Sequence, residues 1–258
     1  MLARTLPARH GVLWLVAGLQ LFRKNPPLMT GLTFSYLLLM IVLNLVPGVG
    51  PVLLPILLPT LTAMLGNGCR TIEAGRALTW PMLTNGLSGR RVAMLRLGGI
   101  HLVGSSLLVL VSLALDTRLD LADGMNEAEA MAALKELSVL MLLASPLLMA
   151  FWFAPLLTLW DDVPAAKSVF FSFVASWRNW RAFAAYGAAI VVVGVLLPGM
   201  LLVIASLLSS SLVNILSVAL RMLLLFVLAP TLVASVYLSY RDVFQPPAAS
   251  VDVVVADD

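Results

Sequence analysis

One cysteine, two histidines and a charged fraction of 11% are all the ionic and redox chemistry this 258-residue chain carries. Cys69 alone cannot close an internal disulfide, and no run of Cys and His has metal-ligand spacing, so neither a metal nor a cofactor is expected. The chain has no GxxxxGK[ST] or GxGxxG loop, no HExxH and no Ser, His and Asp constellation, which leaves hydrolase and nucleotide chemistry without apparatus. Charge is the most telling shortage. A soluble domain has about a quarter of its residues charged, so this chain cannot cover a folded surface in water.

What is present instead is 61% apolar residues and a mean hydropathy of +1.02. At about 20 residues per crossing, six crossings use about 120 residues and leave no room for a separate soluble domain. The net charge of +3 is therefore read as a marker of membrane orientation rather than of nucleic-acid binding. Met1 to Phe22 has the charged start and apolar stretch of a signal peptide but runs into Arg23-Lys24-Asn25-Pro26-Pro27 with no cleavage site, so it is expected to be retained.

The 45 uncharged residues between Lys24 and Arg70 are broken by Pro47-Gly48-Val49-Gly50-Pro51, which makes two arms of one hairpin. The spans read from the sequence are residues 28–46, 52–69, 97–115, 137–160, 182–208 and 222–240. Thirteen of the 16 Lys and Arg residues then fall on one side, which puts both termini in the cytoplasm. The outer loop at 116–136 is acidic. Residues 1–241 are expected as one membrane domain and 242–258 as a flexible acidic tail, whose Val251-Asp-Val-Val-Val stretch is a candidate strand for a partner's sheet edge.

Three amphipathic segments precede the odd-numbered crossings, at residues 10–24, 79–91 and 164–181. In the first, Val12, Leu15, Val16, Leu19 and Phe22 form the apolar stripe. In the third, Phe170, Phe173, Trp177 and Trp180 lie opposite Ser168, Ser172, Ser176 and Asn179, the pattern of a helix flat on the cytoplasmic interface. Each even-numbered crossing carries a proline, Pro59, Pro155 or Pro230. The expected fold is all-α and polytopic: three helical hairpins, each preceded by an interfacial helix, repeated about an axis along the membrane normal.

The segments His10-Gly11-Val12-Leu13-Trp14, Phe22-Arg23-Lys24-Asn25-Pro26, Pro47 to Pro51 and Ser176 to Phe183 resemble a family of uncharacterised proteobacterial six-span inner-membrane proteins. The hairpin with its interfacial helix is more distantly similar to the membrane portion fused to some glycerophosphodiester phosphodiesterases. The resemblance implies a helical fold in the bacterial cytoplasmic membrane and carries over no catalytic residue.

The candidate lipid-headgroup contacts are Arg23, Lys24, Arg90, Arg91, Arg178, Arg181, Trp177 and Trp180, with Trp14 and Trp80 in the same belt. Cations at this depth attract anionic phospholipids by about 1 kcal/mol each. His101, Arg221 and Asn44 are the candidate intramembrane polar groups. His101 either relays protons or is a neutral ring bonded to a neighbouring helix. Arg221 either pairs with Asp116 or Asp120 or marks the outer boundary of the sixth crossing. Asn44, Asn67 and Asn214 would join helices, Gly66, Gly68, Gly98 and Gly99 would let them approach, and Asp161-Asp162 would favour the start of the following helix. Two functions lead, a non-enzymatic lipid-organising or scaffold protein and a small transporter or channel; an embedded enzyme ranks below both.

Overall fold

A computed structural model describes residues 3–115 and 127–245, which form helices and their connections without a strand. The helices are α1 (Arg9–Lys24), α2 (Pro26–Asn44), α3 (Gly50–Glu73), α4 (Trp80–Leu83), α5 (Leu87–Ala114), α6 (Glu127–Trp152) and α7 (Ala154–Trp160). They continue with α8 (Ala165–Arg178), α9 (Trp180–Val191), α10 (Leu197–Ser206), α11 (Ser210–Leu223) and α12 (Ala229–Phe244). Six stretches are long and apolar enough to cross a bilayer: Pro26–Asn44, Gly50–Glu73, Leu87–Ala114, Met131–Trp160, Trp180–Ser206 and Ser210–Phe244. Their outer faces expose Leu110, Leu142 and Leu207, apolar surface suited to lipid rather than water.

Proline decides where these helices depart from regular geometry. A proline lacks an amide hydrogen, and its ring pushes away the carbonyl four residues earlier. Pro198 and Pro230 each sit at the start of a new helix, and each follows a π-helical turn, Val192–Leu196 and Leu224–Leu228. Those turns are centred on Gly194 and Phe226, the residues whose carbonyls the prolines displace. Thr30 Oγ1 donates to the Phe226 carbonyl at 3.4 Å. In α3, Pro59 frees the carbonyl of Pro55, which His101 Nδ1 reaches at 3.1 Å. Before Pro155 the helix parts at Phe153, where Ser172 accepts from the Phe153 amide at 2.9 Å and donates to the Met149 carbonyl at 2.8 Å.

By internal packing the described residues form two units, one of residues 3–33, 69–77 and 178–245, the other of 34–68, 78–115 and 127–177. In the first, α1 packs on α9 and α12. A side-chain carbon at Gly11 would lie 2.0 Å from the Ala182 carbonyl oxygen, so only glycine permits that approach. The buried stripe of α1 is accordingly Gly11, Trp14, Gly18, Leu21 and Phe22, while Val12 and Val16 face outward. Close helix contact selects small residues, so the packed face differs from the apolar stripe read in the sequence, of which Phe22 is buried. Trp14, expected at headgroup depth, is buried edge-on to Phe183 and Tyr186.

The second unit corrects the other two interfacial segments. Residues 79–91 are not one helix: α4 has four residues, Gly86 turns the chain at φ 79°, and α5 starts at Leu87. Arg90 and Arg91 therefore belong to the crossing helix itself. The third segment ends at Arg178 and α9 begins at Trp180. Its serine stripe faces protein, with Ser168, Ser172 and Ser176 fully buried, while Phe170 and Trp177 are exposed. In lipid a hydroxyl gains more from an orphaned backbone group than from solvent. Gly98 lets α3 approach α5, since a carbon added there would lie 2.1 Å from the Ile56 carbonyl oxygen, whereas Gly99 faces open space.

The helical stretch that carries the sixth crossing starts at Ser210, twelve residues before the expected start of the span, where Ser209 accepts from the Leu212 amide. Arg221 lies inside it. Asp242, expected in the tail, belongs to α12. Asp116 and Asp120, much of the acidic outer loop and the tail from Pro246 fall outside the described residues.

Candidate functional site

In the second unit three arginines gather where α5 begins. The side chain of Asn67, buried near the end of α3, donates to the carbonyls of Leu83 and Asn85 at 2.9 and 3.0 Å and accepts from Trp160 Nε1 at 2.9 Å. It thereby fixes the turn that launches α5. The first three turns of α5 carry Arg90, Arg91 and Arg96. Asp162, with a left-handed φ of 57°, lies beyond α7 and forms an ion pair with Arg90.

These groups line a hollow of about 500 Å³ with Ser88, Gly89 and Pro164. Arg91 and Arg96 are exposed, and neither has an acidic partner among the described residues. Arg96 and Pro164 also line a second hollow of about 560 Å³, whose other walls are Gly99, Ile100, Val103, Ala165 and Ala166. Residues 96, 99 and 103 recur at helical spacing, so this apolar groove runs about 10 Å down one face of α5 from the Arg96 level. In the same unit Trp177 is 63% exposed and stacks on Phe173, with 6.3 Å between ring centroids.

The first unit gathers charge differently. Asn179 is buried and holds the N-terminal segment, accepting from the Leu6 amide at 2.8 Å and donating to the Arg4 carbonyl at 2.9 Å. Arg178 donates to Thr5 Oγ1 at 3.1 Å. The exposed Arg181 guanidinium lies 5.6 Å from the Trp180 ring, which is itself exposed. Arg23 is exposed, and Lys24 donates to the Glu73 carbonyl at 3.3 Å.

Two acid-centred clusters in this unit escaped the sequence reading. Glu73 accepts from Tyr237 at 2.5 Å and pairs with Arg241. Asp242 Oδ2 meets His10 Nδ1 at 2.6 Å and accepts from Trp14 Nε1 at 2.9 Å. Adjacent residues of α12 thus tie separately to the end of α3 and to α1. The available signal was opposite charge at matching helix ends, Glu73 after Arg70 and Asp242 after Arg241.

Of the intramembrane candidates, His101 bonds the Pro55 carbonyl and stands edge-on to Phe151, with ring centroids 4.5 Å apart. Asn44 and Asn214 are exposed, and among the described residues neither bonds another helix. Arg221 is exposed and stands twenty residues before Arg241. At 1.5 Å per residue that is about 30 Å, the thickness of a hydrocarbon core.

Comparison with known proteins finds a relative in Burkholderia thailandensis named as a probable inner membrane protein. It is 36% identical over 194 residues, covering 70% of this chain and 72% of the relative. No protein-family model matches the chain, and no solved structure matches it.

Proposed function

The chain belongs to the family of that Burkholderia thailandensis inner membrane protein and is itself an integral inner-membrane protein, and in this setting we propose that it organises lipids or other proteins without catalysis. Its termini lie in the cytoplasm in this reading, and its principal ligands are anionic phospholipids. The carrying observation is the outward placement of aromatic and cationic side chains, Trp180 with Arg181 in one unit and Trp177 in the other. Indole and guanidinium groups together suit headgroup depth.

Proline-broken helices are also how transporters build sites at midplane. Here three polar side chains near such breaks are engaged with backbone: His101 at Pro55, Ser172 at Phe153 and Met149, and Thr30 at Phe226. That engagement supports the organising role over solute transport. The distant likeness to phosphodiesterase membrane portions receives no support from the comparisons and supplies no residue to this reading.

Native mass spectrometry of the full chain tests it. Arg178→Ala combined with Arg181→Ala is expected to lower retention of anionic lipid, and unchanged retention overturns the proposal. Saturable solute flux into vesicles holding the purified protein, lost on substitution of His101 or Arg221, would establish transport instead.

A further inference from the structure

We infer that the arginine hollow of α5 and its adjoining groove form a seat for one anionic phospholipid, with the phosphate at Arg91 and Arg96 and an acyl chain along Gly99 and Val103. The inference rests on the lipid-organising reading and gives it a defined site. Charge complementarity selects the occupant. Three arginines face one acid in the hollow, and Asp162 is engaged with Arg90, which leaves Arg91 and Arg96 as the excess cations.

A free phosphate would satisfy those cations, but it would leave the groove bare. The two hollows share Arg96, Pro164 and Ala165, so the charged end opens directly into an apolar channel. Their order is that of a lipid, headgroup first and hydrocarbon about 10 Å deeper along the same helix face. Gly99 keeps the channel open, because a side chain built there meets nothing within 4 Å. Leucine at 99 would fill the groove without disturbing the backbone, while Gly98 beside it is closed by α3.

The experiment uses the full chain in detergent with phosphatidylglycerol or phosphatidylcholine added, bound lipid being counted by native mass spectrometry. Phosphatidylglycerol should be retained preferentially, and Arg91→Gln and Arg96→Gln should each weaken that retention about five-fold. Gly99→Leu should reduce retention of both lipids, whereas Gly31→Leu, at another open position, should reduce neither. Thermal unfolding of each variant checks that the fold survives. Should Arg91→Gln with Arg96→Gln and Gly99→Leu each retain lipid like the parent chain, the seat is overturned. If the same preparation loses anionic lipid on Arg178→Ala with Arg181→Ala, the broader reading survives without this seat; if the parent chain retains none, both fail. Displacement of phosphatidylglycerol by millimolar inorganic phosphate, with Gly99→Leu inert, would identify an anion site only and overturn the lipid assignment.

Discussion

His101 donates from Nδ1 to the carbonyl oxygen of Pro55, the acceptor that Pro59, lacking an amide hydrogen, leaves without its helical donor. The histidine therefore completes a neighbouring helix, and its position in the third crossing is explained by a proline in the second. His101→Leu should lower stability in detergent by about 1 kcal/mol, the usual size of a bond between membrane helices. In a Pro59→Ala background residue 59 regains its amide, so the same change should cost markedly less. Equal costs in the two backgrounds would sever the histidine from the proline.

Ser172 performs a related task at the break before Pro155, where its hydroxyl is inserted between the Phe153 amide and the Met149 carbonyl. Ser172→Ala removes the hydroxyl that the Phe153 amide donates to, while Ser176 still reaches Met149 at 3.2 Å. A typical intramolecular hydrogen bond contributes about 0.5–1.5 kcal/mol net, and a loss in that range is expected in chemical unfolding. Among the described residues Ser138 bonds only within its own helix, and it is exposed, so Ser138→Ala should change stability by less than about 0.5 kcal/mol. A Ser172 variant as mild as that control would remove the inserted hydroxyl from the argument.

These two residues show where the sequence was readable. Apolar runs and breakers located six crossings, because lipid demands long uninterrupted helices and leaves few alternatives. The helix faces were harder to assign. Hydrophobicity does not distinguish a face against lipid from one against another helix, and so the glycines that pack α1 went unread and the serine stripe of α8 was expected on the polar, outward side. The second interfacial segment failed at Gly86, whose left-handed turn is a matter of backbone rather than polarity. Arg90 and Arg91 were recognisable as a basic pair, but the hollow they share with Arg96 and Asp162 depends on distant parts of the chain meeting.

Glu73 and Arg241 join residues 168 positions apart, with Tyr237 as a second donor to the same carboxylate. Their side chains are 27% and 42% exposed, so solvent screens the pair and a coupling of at most about 1 kcal/mol is expected. A double-mutant cycle with Glu73→Gln and Arg241→Gln should recover that coupling at low salt and less of it in 1 M salt. Strict additivity at low salt would mean that the contact contributes nothing measurable.

The spacing of Arg221 and Arg241 predicts the direction in which the sixth crossing is threaded. Twenty residues of helix separate them, about 30 Å, so the two guanidinium groups reach opposite headgroup layers. In the proposed topology the surplus of Lys and Arg on the Arg241 side places that side in the cytoplasm. Cys69 is fully buried, so a cysteine introduced at an exposed position should dominate labelling by a membrane-impermeant maleimide. Asn214→Cys, beyond Arg221, should react in intact spheroplasts, whereas Gln245→Cys should react only after the membrane is opened. The reverse pattern would invert the sixth crossing in the membrane.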